Sequence, residues 1–121
     1  MSELLKELTQ MSGFISNLLL EEKNPDTRRG ILELLIMVSE KIISIAKYKN
    51  LDTENDFFPT VIEDIKKTET LITGYKQKTK TYMDLSDHIM DVANEVEALI
   101  LGVNFSAQLL PVNPSINQKI Q

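Results

Sequence analysis

The fold class is decided by residues 82–103, YMDLSDHIMDVANEVEALILGV. Apolar residues recur in this stretch at alternating spacings of four and three, the repeat of one face of an α-helix. The row comprises Leu85, Ile89, Val92, Val96, Leu99 and Val103, and Ala93 and Ile100 widen it. A helix with one apolar face buries that face against other helices. The stretch therefore predicts an all-α protein.

Three earlier segments show the same periodicity, for example Leu4, Leu8, Met11, Ile15 and Leu18 in the first. The sequence predicts an antiparallel helical bundle of about four helices, at approximately 2–23, 25–49, 59–79 and 82–108. Because no proline or glycine lies between Tyr75 and Leu101, the alternative is three helices with a long third one. Lysines before residue 81 and aspartates after it favour a break near 79–83, since they match opposite helix ends.

Capping residues mark the starts of the segments. Ser2 and Asn24 are suited to the N-cap position, and Pro25 is tolerated at the first helical position. Thr60 with Glu63, and Thr81 with Asp84, have the spacing of a capping box. The sequence thus predicts side-chain caps at all four helix starts.

Two features of the first half of the chain concern packing. Gly13 interrupts the first segment, and one hypothesis is that it allows close packing against a neighbouring helix. The second segment is apolar on all sides around residues 34–38, LLIMV. We expect such a helix to be covered on several sides, with Asn50 and Leu51 beyond its end.

The totals describe one domain without disulfides. The chain has 121 residues, of which 42% are hydrophobic and 26% charged, and it has no cysteine. We expect a single helical domain over 1–110, followed by a loose polar tail over 111–121 that begins at Pro111. The absence of cysteine excludes a disulfide scaffold and a thiolate zinc site.

The charge pattern excludes other classes of function. Residues 82–121 carry five acids and one base, or −4 of the net charge of −5. This acidity opposes binding to phosphate backbones, so no nucleic-acid partner is predicted. The acidic N-terminus is unlike a signal peptide, and charges interrupt the most apolar stretch, residues 31–46. We expect no membrane segment and a cytoplasmic location.

His88 is the single histidine and the one candidate for acid–base chemistry near neutral pH. On a helix, Asp84 and Asp91 can both reach it, which suggests a hydrolytic or metal site. The favoured interpretation is a partly exposed histidine paired with a carboxylate. A di-iron-type bundle site needs two Glu-x-x-His motifs, and the residue three before His88 is Leu85. We therefore predict no enzyme, no catalytic residue, no metal and no cofactor.

The predicted partner-binding residues lie on the fourth segment. Four acids fall within an arc of about 80°, and no lysine or arginine occurs from residue 82 to 118. The acids are Asp84, Asp87, Asp91 and Glu95, and an apolar strip beside them comprises Met90, Leu101 and Phe105. The acids can instead be solvated or neutralised by a neighbouring helix, and the chain's own tail can cover the apolar strip.

The sequence predicts a non-enzymatic protein-binding module of the inhibitor, immunity or chaperone type. Its partner is another protein with a basic surface, because complementary charge accelerates association and rejects wrong partners. The first alternative is a structural subunit that associates with itself as a homodimer or larger homo-oligomer. A hydrolase or ligand site around His88 is a distant alternative.

Overall fold

The computed structural model describes residues 2–47 and 56–102, which form four helices. They are α1 (Glu3–Glu21), α2 (Pro25–Lys47), α3 (Phe58–Lys76) and α4 (Tyr82–Ile100). The predicted all-α bundle of four helices is confirmed, and the alternative with one long third helix is wrong. The break between α3 and α4 forms because Lys78 adopts a positive φ of 65°. The amides of Thr79 and Lys80 then hydrogen bond back to the carbonyl of Gly74, at 2.9 and 3.1 Å.

Three of the four predicted caps form. The side chain of Ser2 accepts a hydrogen bond from the amide of Leu5, and Asn24 Oδ1 accepts bonds from two amides of α2. Thr81 and Asp84 form the complete capping box at the start of α4. Each bond satisfies an amide that has no partner within its own helix.

The predicted cap of α3 at Thr60 and Glu63 is wrong. The N-cap is Phe57, which makes no side-chain capping bond, and the helix begins at Phe58. Pro59 occupies one of the first two helical positions, where its fixed φ suits a helix and its missing N–H has no intrahelical partner. The proline therefore begins the helix ahead of the residues with capping-box spacing.

Some helix bounds differ from those predicted. Helix α3 ends at Lys76 rather than at 79, and α4 ends at Ile100, with Gly102 at a φ of 72° just beyond it. The predicted continuation of α4 over 103–108 lies outside the described residues. The same holds for Asn50, Leu51 and the tail at 111–121.

Consecutive helices run in opposite directions, but the four do not follow one another around the bundle. Helix α1 packs on α2 and α3, and α4 packs on the same two helices. The C-terminal ends of α1 and α3 meet, where the Tyr75 hydroxyl donates a 2.8 Å hydrogen bond to Glu22 Oε1. Lys41 Nζ lies 2.6 Å from Glu97 Oε1 near the C-terminal ends of α2 and α4. The bundle thus consists of two antiparallel hairpins, with α1 parallel to α3 and α2 parallel to α4.

The core lies where the apolar faces of all four helices meet. Leu4, Ile31, Val61, Leu85 and Val96 are fully buried and represent each helix. The side chain of Tyr82 on α4 reaches the backbone of α2 at Gly30, where any Cβ would overlap its hydroxyl. By contrast, a Cβ on Gly13 would meet nothing within 4 Å, so the hypothesis of close packing at Gly13 is wrong.

Helix α2 is less covered than its sequence suggests. It buries Ile31, Leu34, Val38 and Ile45. On the opposite side, Leu32, Ile36 and Ile43 are 44%, 50% and 55% exposed. The expectation that α2 is covered on several sides is therefore wrong for the described structure, because α2 has neighbours on two sides only. None of the described helices has the length and hydropathy needed to cross a membrane.

Candidate functional site

The surface of α4 outside the core divides into a polar seam against α3 and an outer face. Leu85, Ile89, Val92 and Val96 fill the core side. His88 and Glu95 lie beside that row, at the contact with α3, and both are partly buried. The two parts have different chemistry, because the seam restricts water and the outer face does not.

The outer acids are Asp84, Asp87 and Asp91, and all three side chains are exposed. None of them lies within ion-pair distance of a lysine or arginine in the described part of the chain. Asp84 Oδ2 accepts a 2.9 Å hydrogen bond from the Thr81 amide as part of the capping box. The backbone and side-chain hydrogen bonds with Thr81 lower the pKa of Asp84. These three acids are therefore exposed neighbours on α4, and their role in partner binding stays a prediction.

Glu95 has a different environment from the other predicted acids. Its Oε1 atom has no accessible surface and accepts no hydrogen bond from the described residues. Its carboxyl group instead hydrogen bonds the carboxyl group of Asp64 on α3. Two carboxylates can only accept, so this bond requires one proton between them.

Burial is the largest reason that the pKa of Glu95 rises to about 8 from its usual 4.5. The hydrogen bond to Asp64 and the charges of Asp64 and Asp91 act in the same direction, and Lys67 acts against them. Lys67 Nζ lies 3.5 Å from Asp64 Oδ1. Glu95 therefore holds a proton at neutral pH and adds little charge to the outer face, which carries three negative charges rather than four.

His88 is the second titratable group of the seam. Its Nε2 lies 3.0 Å from Thr68 Oγ1, and the ring also hydrogen bonds the backbone of Asp64. Thr68 is fully buried on α3. Desolvation lowers the pKa of His88, against the charges of Asp64 and Asp91, which raise it. A neutral imidazole has one donor and one acceptor, so the seam matches the uncharged ring.

The hypothetical Asp84–His88–Asp91 site is not assembled in the described structure. Asp84 binds Thr81 at the helix start, and the groups that act on His88 are Asp64, Asp91 and Lys67. No set of three or more histidine or acidic side chains among the described residues has a geometry that could hold a metal ion. The polar seam was not predicted. Its sequence signals were Thr68, which interrupts the apolar period of α3, and the single histidine, His88.

The apolar strip on α4 includes a residue that sequence reasoning missed. Met90 and Leu101 are 44% and 61% exposed, and Met83 is 64% exposed. Met83 precedes Met90 by seven residues and Leu101 by eighteen, so all three share one side of the helix at about 100° per residue. That spacing could have identified Met83. Phe105, the remaining predicted member, lies outside the described residues.

A basic groove of about 690 Å³ lies beside the C-terminal ends of α1 and α3, at the end of the bundle where α4 begins. Its lysines are Lys23, Lys76, Lys78 and Lys80. Glu21 and Glu22 also line it, and Lys76 Nζ lies 3.0 Å from Glu21 Oε1. Cations at helix C-terminal ends compensate the partial negative charge there. Dipole compensation and ion pairing account for Lys76, which lies in the last turn of α3.

The chain was compared with protein-family models, with curated proteins and with solved structures, and no match was found.

Proposed function

We propose that the protein is a non-enzymatic protein-binding module and that α4 provides its docking face. One observation carries the proposal: exposed acids that form no ion pair with any described residue lie beside exposed large apolar side chains on one helix. The acids are Asp84, Asp87 and Asp91, and the apolar residues are Met83, Met90 and Leu101. Apolar patches bordered by polar residues are typical of protein interaction sites.

The partner that fits this face is a protein with a basic surface next to an apolar patch. Three like charges on adjacent turns repel one another, and a partner's lysines or arginines relieve that repulsion. The methionines add an adaptable apolar surface, since their unbranched side chains fit varied shapes. In this proposal the protein acts in the cytoplasm as an inhibitor, immunity protein or chaperone, and it combines charge steering with apolar contact.

His88 supports the choice of a binding role over a hydrolytic one. Its ring is already bonded to Thr68 and to the backbone of Asp64. A general base must lie within hydrogen-bond reach of the proton that it removes from the substrate, and the partner Thr68 is fully buried. The seam therefore stabilises the α3–α4 contact in this proposal.

The test compares two double variants of equal charge. Asp87→Lys with Asp91→Lys reverses the outer face of α4 and leaves the Asp84 cap intact. Glu63→Lys with Glu69→Lys makes the same change in net charge on the exposed side of α3. Each is used as bait in an extract of the source cell, at low and at raised salt, after thermal melts have verified folding.

We expect the wild type and the α3 variant to retain the same partner, and the α4 variant to lose it. Binding to the purified partner should weaken with salt, mainly through a slower association rate. If the α4 variant binds that partner as tightly as the α3 variant, with the same salt dependence, the proposed face is wrong.

A further inference from the structure

The exposed apolar side of α2 forms a regular row. Leu32, Ile36 and Ile43 are about half exposed, and Pro25 is exposed seven residues before Leu32. At 100° per residue these four positions fall within an arc of about 40°. Such a row is the pattern of a helix–helix contact, yet neither neighbour of α2 covers it.

The row is symmetric about its own centre. Leu32 and Ile36 are equidistant from residue 34, and so are Pro25 and Ile43. A second copy of α2 that runs in the opposite direction therefore places Ile36 against Leu32 and Ile43 against Pro25. Two-fold interfaces have this property, because residue i contacts j wherever j contacts i.

The charges beside the row have a centre within about half a residue of the same point. Arg29 and Glu40 are equidistant from a point between residues 34 and 35, and both lie on the same flank of the row. A two-fold axis that reverses the helix keeps each flank on its own side, so Arg29 of each copy meets Glu40 of the other. Neither residue forms an ion pair within the described ranges. Glu33 lies further round the helix, near Tyr82, and so stays outside this contact.

The surface beside the row has room for a side chain of the second copy. A groove of about 340 Å³ lies between α1 and the start of α2, and Leu19, Pro25 and Leu32 provide its apolar wall. Arg28 and Arg29 line its rim. The antiparallel register directs Ile43 of the second copy towards this groove.

We propose that α2 pairs with α2 of a second copy of this chain, antiparallel, about a two-fold axis near residue 34. The surface is separate from the α4 face, so either proposal can fail without the other. A contact one helix wide falls in the small class of interfaces, below about 1,200 Å² in total, where complexes are weak and transient. We accordingly expect the dimer to have a dissociation constant on the order of tens to hundreds of micromolar.

The first experiment is sedimentation equilibrium of the full chain between about 10 and 500 μM, a range that brackets such a dissociation constant. We expect the wild type to change from monomer to dimer across it. Ile36→Lys places a charge against Leu32 of the other copy and is expected to weaken the dimer at least about tenfold. A wild type that is monomeric throughout overturns the proposal, whether solvent or the chain's own remaining residues cover the row. A dimer that Ile36→Lys leaves intact also overturns it.

The second experiment tests the register by charge exchange. Arg29→Glu and Glu40→Arg each place like charges together and should weaken the dimer, whereas the double exchange should restore it. Lys66→Glu on the exposed side of α3 is the control, because it changes the net charge as Arg29→Glu does. Circular dichroism verifies that each variant is folded. If the double exchange stays as weak as the single variants, the antiparallel pairing is wrong.

Discussion

Replacing Glu95 by glutamine tests the carboxyl pair that joins α4 to α3. In the folded chain Glu95 has a pKa of about 8, whereas the ordinary pKa of glutamate is 4.5. The unfolded chain therefore releases the proton near pH 4.5. Between these two pH values the folded state binds more protons than the unfolded state. The contribution of Glu95 to the free energy of unfolding consequently falls as the pH rises from 4.5 to 8, and then becomes constant.

The size of the effect follows from the shift and from the exposure of the side chain. At 1.36 kcal/mol per pKa unit, retaining the proton up to pH 7 corresponds to at most about 3 kcal/mol. Part of the Glu95 side chain reaches solvent, which screens the interaction and reduces the expected effect to on the order of 1–2 kcal/mol. Glutamine has the same shape, does not titrate, and can donate from its amide to Asp64.

We therefore expect Glu95→Gln to have wild-type stability near pH 4.5 and to be more stable by about 1–2 kcal/mol at pH 7 and above. The assay is urea unfolding followed by circular dichroism from pH 4.5 to 9. A slope on the order of 1–1.5 kcal/mol per molar urea converts this difference into a midpoint shift of about 1 M.

The control is Glu63→Gln, which removes a carboxylate from the exposed side of α3. Its urea unfolding over the same pH range provides the comparison for Glu95→Gln. Titration of the Glu95 carboxyl carbon by NMR gives a direct second readout, with a midpoint near 8. If Glu95→Gln differs from the wild type by the same amount at pH 5 and at pH 8, the shared-proton argument is refuted.

Further predictions concern the stability of four single variants. Because burial lowers the pKa of His88 from 6.5, the stability that the neutral ring confers is lost as the pH falls below 6.5. His88→Gln should flatten that part of the urea-derived stability profile, and an unchanged slope would contradict this. Gly30→Ala should lower the unfolding free energy by about 1–2 kcal/mol, since its Cβ overlaps Tyr82, a cost larger than the gain in helix propensity. Gly13→Ala should raise the unfolding free energy by about 0.5–1 kcal/mol. If Gly30→Ala melted at a higher temperature than Gly13→Ala, the packing argument would be disproved. Thr81→Ala removes the capping box of α4 and should lower the unfolding free energy measured in urea by about 1 kcal/mol.

Local sequence patterns were sufficient for the helices. The apolar period of each segment predicted the face that packs inward, and Asn24 and Thr81 marked helix starts that the structure confirms. These signals act within a few residues, because a cap bonds amides two or three positions away. Pro59 was a competing local signal at α3, and it displaced the predicted cap at Thr60.

The polar seam could be predicted only in part. Thr68 stood out as a polar residue in an apolar position, and His88 stood out as the single histidine. Their bond, and the bond of Glu95 to Asp64, join residues twenty or more positions apart on two helices. Such pairs depend on the rotation of α3 and α4 about their axes and on their relative register. The apolar period of neither helix specifies these quantities. Glu95 consequently looked like a fourth exposed acid, although it is partly buried and shares a proton.

The sequence by itself determined that the chain forms helices, approximately where they begin and end, and which face of α4 is acidic. These properties follow from short-range periodicity and capping. Only the tertiary structure decided which apolar surfaces are covered. Helix α2 is apolar on all sides around residue 36, and its burial depends on the number of neighbours that it has. With α1 and α4 as its only contacts among the described helices, Leu32, Ile36 and Ile43 remain on the surface.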